Sequence, residues 1–270
     1  MSNDISLGLV DDVLNVSLHT LDVNPIVTEL KKYGEVISFN LENTKLTNAK
    51  EEIPFKAIVY IASVSGSGVE NLYREMGVDI FLSMNPSTQD YLDAFKKINA
   101  ERIVILPNDK NIIETAHLAA KLSNQNNITI LHTKNVIEGY YSLAMDVPDS
   151  SIANRLEAIQ ESVGVECINV SKAIKNYTND STNVKVDDFV VYEDDKVLEG
   201  SSDLSKAIIN GLKKVEDIDS KSSAFILLGA KCEANMEDRI TKLLGKNFPN
   251  IEPTILEGGQ DKELLIIGLL

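Results

Sequence analysis

Residues 57–95, AIVYIASVSGSGVENLYREMGVDIFLSMNPSTQDYLDAF, decide the fold class. An apolar run through Ile61 stops at a loop holding Gly66 and Gly68, and helical periodicity follows to about Gly77. The cycle then restarts: a second apolar run, the polar junction Ser83 to Thr88, and a helix whose apolar stripe is Tyr91, Leu92, Phe95 and Ile98. RIVILPNDKNIIETAHLAAKLS (102–123) and ITILHTKNVIEGYYSLAMD (128–146) repeat the cycle twice more. Strand, loop and helix in alternation imply a parallel sheet. The strands are almost wholly apolar instead of alternating, so helices must cover both faces. The reading is an α/β protein, with a mainly parallel, doubly wound sheet domain followed by a smaller α/β lobe.

In such a sheet the loops after the strands share one edge, where ligands bind. The loops beginning at Ser65, Ser83, Pro107 and His132 therefore gather there, and Ser83, Asn85, Ser87, Thr88, Asn108, Lys110, Asn111 and His132 become candidate ligand- or partner-binding residues. Helix starts on that edge offer unpaired N–H groups and partial positive charge to a phosphate or carboxylate. The same residues also suit plain helix initiation: Asn85 as N-cap with Pro86 at the first helical position, and Asn111 with Glu114 at capping-box spacing.

Outward from this block, residues 151–217 read as an amphipathic helix (IANRLEAIQESV), a strand (GVECINVSKAI), a polar loop or hairpin tip (NYTNDSTN), two strands turning at Glu193 to Asp195, and a helix capped near Ser202 or Asp203. The run YEDDK reads as a solvated turn. The C-terminal unit has β-α-β-β order: AFILLGA, NMEDRITKLLGKNF, EPTILEGG, KELLIIGLL. The first 48 residues hold VLNVSLHT and EVISFNLE as strands around the helix NPIVTELKKYG, too short for a core of their own. The expected divisions are 1–48, 49–150 and 151–270.

A formal charge of −15 without any Lys/Arg cluster argues against nucleic acid. Cys167 and Cys232 lack metal-ligand spacing and read as free thiols in a reducing cytoplasm. The start MSNDISLGLVDD has no signal-peptide pattern, and no apolar run reaches the ~18 residues of a membrane span. There is no Gly-Lys-Ser/Thr phosphate loop, no H-E-x-x-H and no nucleophile elbow. SGSGVE is an incomplete glycine-rich loop. Of the three histidines, His19, His117 and His132, the last ends a strand on the loop edge and is the better candidate for acid–base or ligand contact.

SMNPST (83–88) joined across one helix to ILPNDKN (105–111) resembles a pattern in the C-terminal half of the bacterial fatty acid kinase subunit, the protein whose N-terminal ATP domain is dihydroxyacetone-kinase-like. VSLHT (16–20) resembles the family's central-domain His-x-His-Thr. DDFVVYEDDKVLEGSSDLSKAI is similar to a later strand pair and helix, and Gly258, Gly259 and Gln260 match a family Gly-Gly-Gln. The resemblance implies a division of labour. An N-terminal domain binds ATP and magnesium, a central domain dimerises, and the C-terminal domain docks a DegV-like, fatty-acid-binding protein. Phosphate then passes to the fatty acid carboxylate, giving an acyl phosphate for phospholipid synthesis.

On that resemblance this chain starts at the end of the central domain, holds no cofactor of its own, and forms a homodimer that needs a separate ATP-binding kinase domain. It is inactive alone. Ser17 stands where the family's metal-type cluster has its first histidine, so no zinc is expected beside His19. Ile80 to Ser83 replace a family Gly-Gly-Gln-Thr, which removes backbone freedom there. Two other readings stay open: a small-molecule-binding or phosphatase-like enzyme using Ser83, Asn85, Ser87, Asn108 and His132, and a degenerate dimerisation scaffold.

Overall fold

The computed structural model describes residues 5–10, 13–18, 20, 23–38, 53–161, 165–178 and 182–270. It divides into two compact units, Met1–Glu52 and Ile53–Leu270. In the first, β1 (Ile5–Val10) pairs antiparallel with β2 (Val13–Leu18), and α1 (Asn24–Leu30) follows. The strand at Ile5–Val10 was not anticipated. Of the strand expected over EVISFNLE, residues 35–38 are irregular and 39–42 lie outside the described residues, as does His19.

The second unit opens with the four anticipated cycles: β3 (Lys56–Ser63), α2 (Ser67–Glu75), β4 (Ile80–Leu82), α3 (Thr88–Phe95), β5 (Ala100–Leu106), α4 (Ile113–Ser123), β6 (Ile128–Ile130) and α5 (Val136–Ala144). The strands form a fully parallel sheet in the order β4-β3-β5-β6. Alternate residues of the two central strands serve different cores, as the two-residue period of a strand requires. Ile61, Ile103 and Ile105 pack with Tyr91 and Phe95 of α3 and with Ala116 and Ala119 of α4. Tyr60, Ala62, Val104 and Leu106 face the other way, toward Val69 and Tyr73 of α2 and toward Val136 and Ile137 of α5.

After α6 (Ile152–Gln160) the chain builds a mixed sheet from β7 (Glu166–Lys172), β10 (Phe189–Glu193), β11 (Lys196–Ser201), β12 (Ser223–Leu228), β13 (Glu252–Glu257) and β14 (Leu265–Leu269), in the order β11-β10-β7-β14-β12-β13. A two-residue-per-strand hairpin, β8 (Tyr177–Thr178) with β9 (Asn183–Val184), forms the expected polar tip, whose residues 179–181 lie outside the described ones. Helices α7 (Leu204–Leu212) and α8 (Met236–Asn247) cover one face, on Ile168, Val170, Ile226 and Ile267. The opposite face contributes Cys167, Phe225, Leu227 and Ile266 to the core already formed by α2 and α5. The Phe225 ring stacks on Tyr140 at 5.0 Å between centroids. The layers of this unit therefore run helix, sheet, helix, sheet, helix, and α2 and α5 share one core with both sheets. The C-terminal β-α-β-β unit is present as β12-α8-β13-β14, with β14 seated between β12 and β7.

Among the described residues no helix is long and apolar enough to cross a membrane.

Candidate functional site

Because the four strands are parallel, the loops after β3, β4, β5 and β6 leave one edge of the sheet together. Their contents divide into a buried half and an exposed half.

The strand order reverses between β3 and β5, and a crevice at such a switch point is where open α/β sheets take ligands. Here the chain fills it. Asn108, 2% exposed and with φ of 59°, donates from Nδ2 to the Ser63 carbonyl at 3.1 Å, and its backbone N–H donates to Thr133 Oγ1 at 3.1 Å. The loops after β3, β5 and β6 are thus pinned by one asparagine. Tyr73 closes the crevice from α2: its hydroxyl donates to the Val136 carbonyl at 2.6 Å, and burial pushes its pKa well above the ordinary tyrosine value. A side chain at Gly139 would have its Cβ 2.1 Å from Asn108 Oδ1 and 2.4 Å from Tyr73 Oη, so only glycine lets α5 approach this closely.

The start of α2, the natural anion-binding position, is occupied as well. The Val69 N–H donates to the Gly258 carbonyl at 3.0 Å. Gly66 and Gly68 lie against the backbone of residues 257–260, and a Cβ at Gly68 would sit 1.7 Å from the Glu257 carbonyl oxygen. Gln260 is 2% exposed and donates from Nε2 to the Leu227 carbonyl at 3.0 Å. Gly258, Gly259 and Gln260 are therefore a turn that docks the mixed sheet onto the β3–α2 loop.

The exposed half holds Ser83, Asn85, Ser87 and His132, with Thr88 partly covered as the first residue of α3. Asn85 is not the N-cap of α3, and Pro86 is not its first helical residue. Ser87 is the cap: its Oγ accepts from the Asp90 N–H at 3.2 Å, while Asp90 Oδ2 accepts from the Ser87 N–H at 2.7 Å. The reciprocal pair starts the helix two residues later than the Asn-Pro pair suggests. Hydrogen bonds to the carboxylate from the Ser87 hydroxyl, at 2.8 Å, and from the Ser87 N–H hold the Asp90 carboxyl below its ordinary pKa. Asn111 and Glu114 make no capping box either, since α4 begins after Ile112 without a side-chain cap. Instead Asp109 Oδ1 accepts from Asn111 N and Nδ2, at 2.8 and 2.9 Å, in a local turn. Lys110 leaves the edge altogether and pairs with Asp195 in the β10–β11 turn. His132 and His117 are both exposed and place their rings 5.6 Å apart.

Sequence reasoning overlooked Ser63, Tyr73, Thr133 and Gly139 as parts of the edge. It also missed a polar network beneath α6, where Arg155 donates to both carboxylate oxygens of Asp146 at 2.8 and 2.7 Å and the Tyr60 hydroxyl donates at 2.7 Å. Only a bidentate-capable Arg nine residues after an Asp hinted at it. Among the described residues no group of three or more His, Cys, Asp or Glu side chains could hold a metal ion. Cys167 is buried and Cys232 half-buried, both free; burial pushes the Cys167 thiol far up.

Residues 58–269 match the family model for the C-terminal domain of FakA-like fatty acid kinase subunits. The chain belongs to that family. Uncharacterized proteins of Staphylococcus aureus, among them those of strains USA300 and N315, are 23% identical over 93% of the chain. The chain spans about half the length of these curated relatives, 48% of each. Among solved structures, a DegV family protein of Corynebacterium glutamicum superposes with a TM-score of 0.58 at 10% identity, over 80% of this chain and 98% of that one. At that identity the likeness is one of fold. The SMNPST and ILPNDKN segments of this FakA-like C-terminal domain sit at one sheet edge, and Gly258 to Gln260 lie against the neighbouring loop between β3 and α2.

Proposed function

We propose that the chain is the partner-binding and assembly module of a fatty acid kinase system. It docks a DegV-like acyl-carrier protein at the exposed half of the parallel-sheet edge, and phosphate transfer is carried out by a separate domain that binds ATP and magnesium. One observation carries the reading: the two places on this edge where a nucleotide or small anion would ordinarily bind are taken by the protein itself. Asn108 spans the switch-point crevice, and Gly258 accepts the Val69 N–H that a phosphate would use. Hydroxyl, amide and imidazole groups remain outside, at Ser83, Asn85 and His132. Such an arrangement suits recognition of a protein surface, because it presents exposed hydrogen-bonding groups along one edge. Family membership supplies the system, and a homodimer belongs to the same proposal as the assembled form.

The test is a calorimetric titration of the 270-residue chain with a fatty-acid-loaded DegV-family protein. Binding is expected, and Ser83→Glu with Asn85→Glu should weaken it at least tenfold while leaving the unfolding midpoint unchanged. Failure of the parent chain to bind, or equal affinity of the double variant, overturns the docking assignment. Acyl phosphate formation by the isolated chain with ATP and magnesium would overturn the division of labour.

A further inference from the structure

Two histidines from different elements meet on the surface of the parallel-sheet layer: His117, in the second turn of α4, and His132, just after β6. Their ring centroids are 5.6 Å apart and the ring planes are inclined by 56°. The neighbouring residues anchor both backbones. Ala116 and Ala119 hold the α4 turn that carries His117 in the core beneath it. Leu131 and Thr133 flank His132 and are buried: the Leu131 N–H donates to the Ile105 carbonyl at 2.9 Å, and Thr133 Oγ1 accepts from the Asn108 N–H at 3.1 Å.

Both residues are exposed, and among the described residues neither imidazole makes a hydrogen bond or an ion pair. Imidazole nitrogens left open in this way are ligands for the later first-row divalent metals. A metal about 2.0–2.1 Å from a ring nitrogen stands about 3.2 Å from that ring's centroid, so two rings on one ion are about 4.5 Å apart at a right-angled N–metal–N and about 6.4 Å apart at a straight one. The separation of 5.6 Å falls inside that interval. The broad χ2 torsion of histidine lets each exposed ring turn a nitrogen toward the shared position.

We propose that His117 and His132 are the two protein ligands of one late first-row divalent ion, Cu²⁺, Ni²⁺ or Zn²⁺, which ties α4 to the end of β6. No third His, Cys, Asp or Glu joins them among the described residues, so the remaining coordination positions are open to water. Mg²⁺ and Ca²⁺ take oxygen ligands and do not fit. Glu114 and Lys121 lie one turn before and one turn after His117, so the neighbouring charges offset each other and selectivity rests on the imidazoles. β6 is three residues long and ends the strand order β4-β3-β5-β6, so an ion that bridges it to α4 binds the folded chain and stabilises this margin of the sheet. The pair is separate from the VSLHT segment and its His19. The assignment holds whether or not a partner docks at the sheet edge.

The test is calorimetric titration of the metal-free 270-residue chain with Cu²⁺, Ni²⁺, Zn²⁺ and Mg²⁺ in turn. One ion per chain is expected, held most tightly for Cu²⁺ and not at all for Mg²⁺. His117→Ala and His132→Ala, both at exposed positions, should each lower the affinity at least about tenfold, and the double variant should bind about as weakly as either single one, because the chelate is lost with its first arm. His19→Ala should leave the affinity unchanged. Spin-echo modulation of the Cu²⁺ complex should show two imidazoles in the parent and one in each single variant, and Zn²⁺ should raise the thermal midpoint of the parent but not of the double variant. No binding by the parent, parental affinity in either single variant, loss of binding on His19→Ala, or one imidazole in the parent's copper signal each overturns the site. Binding of Mg²⁺ as tight as that of Zn²⁺ overturns the metal class.

Discussion

The Val69 N–H donates to the carbonyl of Gly258 across 3.0 Å, joining the first turn of α2 to a turn 189 residues later in the chain. This bond fastens the parallel sheet to the mixed sheet and satisfies one of the donors that the start of a helix leaves open. The closeness depends on Gly68, which leaves no room for a Cβ beside the Glu257 carbonyl.

Gly68→Ala should therefore destabilise the protein by about 3 kcal/mol, at the upper end of overpacking effects, because backbone rather than a flexible side chain must move. Gly245→Ala is the matched control. It lies in α8 with nothing within 4 Å of an added Cβ, so it should stabilise by up to about 1 kcal/mol. Urea midpoints of the two variants should move in opposite directions.

Asn108→Ala removes a buried donor to the Ser63 carbonyl and places alanine at φ of 59°; a loss of about 2–3 kcal/mol is expected. Asn108→Gly, which relieves the backbone strain but not the lost bond, should recover part of it. Thermal denaturation of the pair separates the two contributions, and equal losses would show that the backbone conformation is not involved.

At the start of α3, Ser87→Ala should cost about 1 kcal/mol, whereas Asn85→Ala should change stability by no more than a few tenths. The reverse order in guanidinium denaturation would reinstate Asn85 as the cap.

Acid should weaken the network beneath α6. Burial pushes the Asp146 carboxyl up, but the hydrogen bonds from Arg155 and Tyr60 outweigh it and leave the pKa below the ordinary carboxylate value. A lowered folded-state pKa means that the stabilisation is fully present above the unfolded value of about 3.9 and is lost as pH falls through the folded value. Asp146→Asn should cost about 2 kcal/mol at pH 7, and the gap to the parent should narrow below about pH 4. A gap that is constant from pH 7 to pH 3 would remove the carboxylate from the account.

Much of this architecture is legible in local pattern. All-apolar runs at Ile58 to Ala62 and Ile103 to Leu106 require cover on both faces, and Tyr60, Ala62, Val104 and Leu106 go to one core while Ile61, Ile103 and Ile105 go to the other, as the strand period assigns. The loops that follow them share an edge because parallel strands all point one way, so the gathering of Ser83, Asn108 and His132 at that edge follows from strand order alone. The family patterns SMNPST and ILPNDKN are likewise local. What local pattern could not separate is exposure within the edge: Asn85 and Asn108 are both asparagines in loops after strands, and one is exposed while the other is 2% exposed.

Tertiary structure decided that difference. Asn108 is buried because three loops converge on its amide, and Asn85 is exposed because Ser87 and Asp90, two and five residues on, already complete the helix start. The Gly-Gly-Gln turn could be recognised from sequence, but its seat on Gly66 and Gly68 depends on two sheets packing around shared helices, a relation between residues nearly two hundred positions apart. A cavity lined by Lys175 and Lys231 depends on the same kind of fact. Lys175 and Lys231 become neighbours of one space only when the β8–β9 hairpin and the start of α8 are brought to the same end of the mixed sheet, and no periodicity in the chain encodes that meeting.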